Sequence, residues 1–249
     1  MSYPCAMPSL TARLLLIALG FLPLLARAQA PVDPSTLYEK RAEHDRNGIG
    51  VFFMGREIAH VMGHQAADWL ERPEREEEER TDLLVDALKF RPGEVVADIG
   101  CGSGFISRKL AKKITPGGFV YGVDIQPEML EVLAKRMAMF RIDNVKPILG
   151  TTTDPKVPAA SCDTMIMVDV YHEFDRPYEM VRSMIAGLKS GGRLVFVEYR
   201  KEDPAVPIKE VHKMSEAQVK KEMSVHPEME HAETIGVLPR QHIIVFRKK

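Results

Sequence analysis

Three glycines, Gly100, Gly102 and Gly104, stand at alternate positions in VVADIGCGSGFIS (95–107), directly after an apolar run that ends in the acid Asp98. Glycine at such a bend permits positive φ and removes the Cβ that would keep a ligand or a packed helix away from the main chain. A second acid, Asp124, closes the next apolar run, FVYGVDI (119–125). A carboxylate at a strand end can accept hydrogen bonds from both hydroxyls of a ribose and so fix the sugar. The chemistry these residues point to is the binding of a nucleoside. The dinucleotide fingerprint G-x-G-x-x-G needs a third glycine where Phe105 stands, so the spacing argues against a nicotinamide-dependent oxidoreductase. A third group, Asp169, Tyr171, His172 and Glu173, lies in VDVYHEFDRP (168–177), where a substrate would meet the nucleoside. The unperturbed pKa of a histidine lies near neutrality, so His172 suits a general base; it equally suits a hydrogen bond to a neighbouring loop.

The elements that must position these residues alternate along the chain. Strands are expected at 94–99, 119–125, 145–150, 162–170 and 193–199, with helices at 104–114, 127–140 and 176–189 between them. Such alternation means crossover connections and a parallel sheet covered on both faces, with ligands bound beyond the carboxyl ends of the strands. A further helix is expected at 215–225. Two strands, around 233–238 and 242–248, are separated only by Pro239, Arg240 and Gln241, too tightly for a parallel crossover, so they should form an antiparallel hairpin.

With its parallel α/β pattern, its glycine bend, the acid ending its second strand and its closing hairpin, the chain over residues 80–248 resembles the class I S-adenosylmethionine-dependent methyltransferases. The resemblance implies a Rossmann-like, doubly wound, mostly parallel seven-stranded sheet with an antiparallel last strand. It implies S-adenosyl-L-methionine as cofactor and in-line methyl transfer as the reaction. By the same resemblance Gly100, Cys101, Gly102, Ser103 and Gly104 line the methionine part, Asp98 orients the loop or the amino group, and Asp124 with Ile125 and Asp169 completes the pocket. The adenine contact should follow the third strand, where GTTTDP offers Thr152, Thr153 and Asp154. Amine and nucleobase methyltransferases carry N/D-P-P-Y/F after the fourth strand; its absence here, with Tyr171, His172 and Glu173 in its place, points to a small-molecule acceptor, as in the quinone C-methyltransferases. A protein that keeps the cofactor fold and binds without turnover is the alternative from another class.

Composition narrows the field further. A formal charge of −1 over 249 residues excludes a nucleic-acid binder working by bulk electrostatics, and 45% hydrophobic residues suffice for a sizeable core. Residues 1–28 have the pattern of an export signal: no acid, Arg13, the apolar run 14–25, and Ala26 and Ala28 before the expected cut. Twelve apolar residues are too few for a stable span, which takes about 20; an uncleaved anchor is the alternative. Loss of Arg13 and Arg27 on cleavage takes the charge from −1 to −3. Cys5 leaves with the signal, and Cys101 and Cys162 are expected to be free, buried thiols.

Residues 29–80 are expected to form an N-terminal lid of helical pieces, with 81–249 the methyltransferase domain. Within the lid, EREEEER (74–80) reads as the solvated first turns of a helix that goes on to bury Leu83, Leu84, Ala87 and Leu88. His60 and His64 have the i, i+4 spacing that can bind zinc, but no third ligand is evident, and no metal site is expected. His212, His226, His231 and His242 carry no local pattern. Met129, Met137 and Met139 read as core filling.

Overall fold

Every one of the expected strand–helix alternations from residue 94 onward is formed, and their order in space sets up the site. The structure, a computed structural model, describes residues 1–4 and 32–249. The export signal, apart from its first four residues, lies outside the described residues, as does its cleavage point. No helix among the described residues is long and apolar enough to cross a membrane.

The first elements of the unit Asp33–Lys249 depart from expectation. In place of helical pieces, β1 (Tyr38–Lys40), β2 (Gly48–Phe53) and β3 (Arg56–Ala59) form a small antiparallel sheet in that order. The hairpin between β2 and β3 turns on Met54 and Gly55, both at positive φ (48° and 95°), the two-residue turn whose twist matches paired strands. A 3-10 segment, His64–Glu71, follows. The acidic run is not one solvated helix start: α1 (Arg75–Glu79) and α2 (Thr81–Ala87) are separated by Arg80 at φ 51°. Arg75 and Glu79 are buried, because Glu79 accepts from Arg75 Nε (2.9 Å), Arg72 Nη2 (2.5 Å) and the Tyr199 hydroxyl (3.1 Å). Buried charge persists only when paired in this way.

The main unit then runs β4 (Val95–Ile99), α3 (Phe105–Lys113), β5 (Phe119–Asp124), α4 (Pro127–Met139), β6 (Val145–Leu149), β7 (Cys162–Val168), α5 (Pro177–Gly187) and β8 (Leu188–Arg200). It ends with β9 (Lys213–Met214), α6 (Glu216–Met223), β10 (Met229–Ile235) and β11 (Gln241–Lys248). The sheet order is β10-β11-β8-β7-β4-β5-β6, and β9 pairs with the end of β8, so the sheet has eight strands where seven were expected. Pairings from β8 to β6 are parallel, and β11 with β8 and β10 with β11 are antiparallel, as the short connection required.

Both faces of the sheet are covered. Met165, Met167 and Phe196 point into one core with Met180 and Met184 of α5; Ile166, Val195 and Val197 point into the other with Ile106 and Leu110 of α3. This alternation is the period of two of a strand buried on both sides. In α4, Met129, Leu133 and Met137 recur every fourth residue and are buried, whereas Met139 is exposed at the helix end and fills no core. Cys101 and Cys162 are buried and free. The chain crosses from β6 back past β4 to β7, making the carboxyl end of β4 the switch point where the crevice opens.

Candidate functional site

The crevice holds a cavity of about 420 Å³, within the range of small-ligand sites. Gly100 and Gly102 form part of its wall. The backbone N–H groups of Gly100 and Cys101 both donate to Val123 O (2.8 and 2.9 Å), tying the loop after β4 to β5. Gly102, at φ 52°, donates its N–H to Asp124 Oδ2 at 3.0 Å, and a Cβ there would lie 2.5 Å from Leu70 Cδ1. Gly104 serves packing: a Cβ would lie 2.3 Å from Leu133 Cδ1, so its absence lets α3 start against α4. Cys101 turns its sulfur into the cluster of Leu133 and Met137, and Ser103 Oγ donates to Glu71 Oε1 (2.6 Å). Cys101, Ser103 and Gly104 therefore do not line the cavity, contrary to expectation; alternate residues of a tight bend face opposite ways.

The acids divide similarly. Asp124 lines the cavity and also accepts from Gln126 N–H (3.0 Å); burial raises its pKa. Asp98 lies behind the loop, where its Oδ2 accepts from Ser107 Oγ (2.6 Å) in the first turn of α3, and burial pushes it up to about 6. Its place is to brace the loop; it does not line the cavity. Ile125 lines the cavity, and of the three residues offered for adenine only Thr152 does. Thr153 and Asp154 do not: Asp154 accepts from Lys156 N–H (2.8 Å) and Nζ (2.7 Å), a local turn that draws its carboxylate away.

Asp169 is the most constrained of the group. It sits at φ 52°, a conformation a non-glycine residue holds only under surrounding constraint. One carboxylate oxygen accepts from Gln241 Nε2 (3.0 Å), and the other is buried with no partner. Burial, then repulsion from Glu79 and Glu198, holds its pKa well above the ordinary range. Arg75, hidden from sequence reasoning inside the acidic run, reaches the same cavity while donating to Glu79 and to Leu70 O (2.8 Å). An unpartnered buried carboxylate beside a glycine bend suits a cofactor that carries a sulfonium and an ammonium group, so the residues present fit S-adenosylmethionine.

The other end of the cavity is built by the turn after β7. His172 and Glu173 line it, whereas Tyr171 does not. Tyr171 is fully buried against Phe174 and Phe196, so its expected contact with substrate is corrected to a core role. His172 is held on both nitrogens: Nδ1 lies 2.6 Å from Glu198 Oε2 and Nε2 lies 3.0 Å from His212 Nδ1. Burial lowers His172 and His212 to about 4 and raises Glu173 to about 7 and Glu198 to about 8. Arg56 steadies the turn, donating to His172 O (3.1 Å) and, bidentately, to the buried Glu222 (2.7 and 3.0 Å). His212, Glu198, Arg56 and Arg75 are the site residues missed from sequence. His60 and His64 do not join this cluster.

A parallel sheet closed by an antiparallel hairpin, with a glycine bend after its β4 strand and a cavity-facing acid at the end of β5, defines the class I S-adenosylmethionine-dependent methyltransferases, whose cofactor is S-adenosyl-L-methionine. A family described as "Methyltransferase domain" matches residues 90–238, and the chain belongs to that family. It is similar to a nocamycin O-methyltransferase from Saccharothrix syringae, 37% identical over 33% of this chain and 29% of the relative. It is also similar to a demethylmenaquinone methyltransferase from Symbiobacterium thermophilum, 31% identical over 47% of each chain. The chain thus spans less than half the length of these two curated relatives. Among solved structures, an S-adenosylmethionine-dependent methyltransferase from Aquifex aeolicus superposes with a TM-score of 0.71 over 76% of this chain and 100% of that one; at 19% identity the likeness is one of fold.

Proposed function

We propose that this protein transfers a methyl group from S-adenosylmethionine to a small-molecule acceptor. The observation that carries the reading is that one cavity joins the glycine bend, with Asp124 and Asp169, to a wall of His172, Glu173 and His212. When bound, the cofactor supplies an activated methyl group on a cationic sulfur. Asp124 would hold the ribose hydroxyls, Thr152 would stand near the base, and Asp169 and Arg75 would hold the charged amino-acid end. The wall of His172, Glu173 and His212 would face the acceptor and orient it for the transfer. A cavity of about 420 Å³ has room for a small acceptor, and the name of the nocamycin O-methyltransferase supports that choice. The N-terminal residue pattern supports export with cleavage after Ala28, which mass spectrometry of the native protein checks: a chain starting upstream of Gln29 contradicts it.

Calorimetric titration with S-adenosylhomocysteine, followed by a methyl-donor consumption assay over a panel of small hydroxyl, amine and carbon acceptors, tests the reading. One binding site and turnover with at least one acceptor are expected. Binding with no turnover on any acceptor favours a protein that only binds the cofactor, and absence of binding refutes both.

A further inference from the structure

We propose that His172, Glu173 and His212 hold one divalent first-row transition-metal ion at the acceptor end of the cavity. The role given to the ion rests on the methyl-transfer reading; its binding does not.

The three side chains come from two turns far apart in sequence, the 3-10 turn Tyr171–Glu173 after β7 and the turn Glu210–His212 before β9. Their ligand atoms converge. His172 Nε2 and His212 Nδ1 are 3.0 Å apart, and Glu173 Oε1 lies 3.9 Å from each. Two imidazole nitrogens bound at about 2.1 Å to one ion would be separated by about 3.0 Å at a right angle and about 3.4 Å in a tetrahedron.

The surroundings match those of a ligating histidine. The outer nitrogen of His172 is fixed by the Glu198 carboxylate at 2.6 Å, and Glu198 itself accepts from Tyr171 N–H at 3.0 Å. A carboxylate behind a histidine sets its tautomer and aims the other nitrogen at a metal. Charge gives a second, separate indication. Glu173 and Glu198 are both buried, and among the described residues the ion-pair partners of each are histidines alone. A buried charge is paired or bound to a metal; Glu222 is paired with Arg56 here, and a divalent ion would serve Glu173 and Glu198 in the same way. Two nitrogens and one oxygen select a transition ion over magnesium or calcium, which prefer oxygen alone. Three protein ligands leave a position for water or an acceptor oxygen, which the ion would hold and polarise. The acceptor class is then an oxygen nucleophile.

The experiment titrates the full chain, stripped with a chelator, with Zn²⁺ and separately with Mg²⁺ by calorimetry, alongside His212→Ala, Glu173→Gln and Glu198→Gln. One Zn²⁺ per chain and no measurable Mg²⁺ are expected. His212→Ala and Glu173→Gln should weaken Zn²⁺ at least 100-fold, and Glu198→Gln by roughly 10–100-fold. S-adenosylhomocysteine binding by each variant serves as the folding control and reports independently on the methyl-transfer reading. Lack of Zn²⁺ binding by a wild-type chain that still takes up S-adenosylhomocysteine overturns the ion and leaves that reading intact. Undiminished Zn²⁺ binding by the variants also overturns it. Should a variant fail the folding control, the Co²⁺-loaded wild type decides: d–d bands without thiolate charge transfer support the assignment, and a thiolate band moves the ion to a cysteine and overturns it.

Discussion

Replacing Asp98 with Asn should stabilise the cofactor-free protein, a gain whose size follows from the burial of this carboxyl. Asp98 is 2% exposed and burial lifts its pKa from 3.8 to about 6. The folded chain therefore keeps a proton through roughly pH 4 to 6 that the unfolded chain has released. Stability falls as pH rises through that window, and above it the ionised form costs the fold about 3 kcal/mol, from about two pKa units at 1.36 kcal/mol each. Asparagine removes the charge and keeps an oxygen to accept from Ser107 Oγ, which donates at 2.6 Å in the wild type. For a domain of this size a gain of about 3 kcal/mol is roughly 6–12 °C in Tm. Thermal unfolding of both proteins without cofactor should show that gain at pH 7.5, shrinking to about a third of it at pH 4.5. A variant less stable than wild type at pH 7.5, or a gain of equal size at both pH values, refutes the reasoning, because the cost would then not be that of a buried charge.

Other substitutions probe the remaining parts of the site. Gly102→Val places a branched side chain at φ 52° and against Leu70, and should abolish S-adenosylhomocysteine binding measured by calorimetry. Asp124→Asn removes one of two carboxylate oxygens that fix Gly102 N–H and Gln126 N–H, each at 3.0 Å, and should lower cofactor affinity at least tenfold, since hydrogen bonds to a charged group contribute about 1.5–3 kcal/mol. His172→Ala should cut turnover about 100-fold or more in the methyl-donor assay while leaving S-adenosylhomocysteine affinity unchanged. Arg56→Ala strands the fully buried Glu222 and should cost about 3–5 kcal/mol in urea unfolding, with Arg56→Met and Glu222→Leu together recovering most of it.

The cofactor half of the site was legible because it depends on neighbours in sequence. A glycine bend between Asp98 and Phe105 and an acid at the end of β5 are fixed by strand ends and by the conformations glycine allows. The closing hairpin was equally readable, since Gly236–Arg240 is too short to cross the sheet. The small N-terminal sheet left a signal too, the Met54–Gly55 turn, but a turn alone does not identify the strands that pair across it.

What the chain by itself determined is the class of ligand and the edge of the sheet that receives it. Tertiary structure alone decided which side chains reach the cavity. Arg75 and Glu79 look solvated in an acidic run until Tyr199 and Arg72 close over them. Of three consecutive GTTTDP candidates, Thr152 faces inward because Asp154 is drawn to Lys156. His212 has no local pattern at all; it meets His172 across 40 positions only because β8 returns the chain to the same edge as β7. Side-chain convergence of that kind is a property of strand order, and local periodicity carries no record of it.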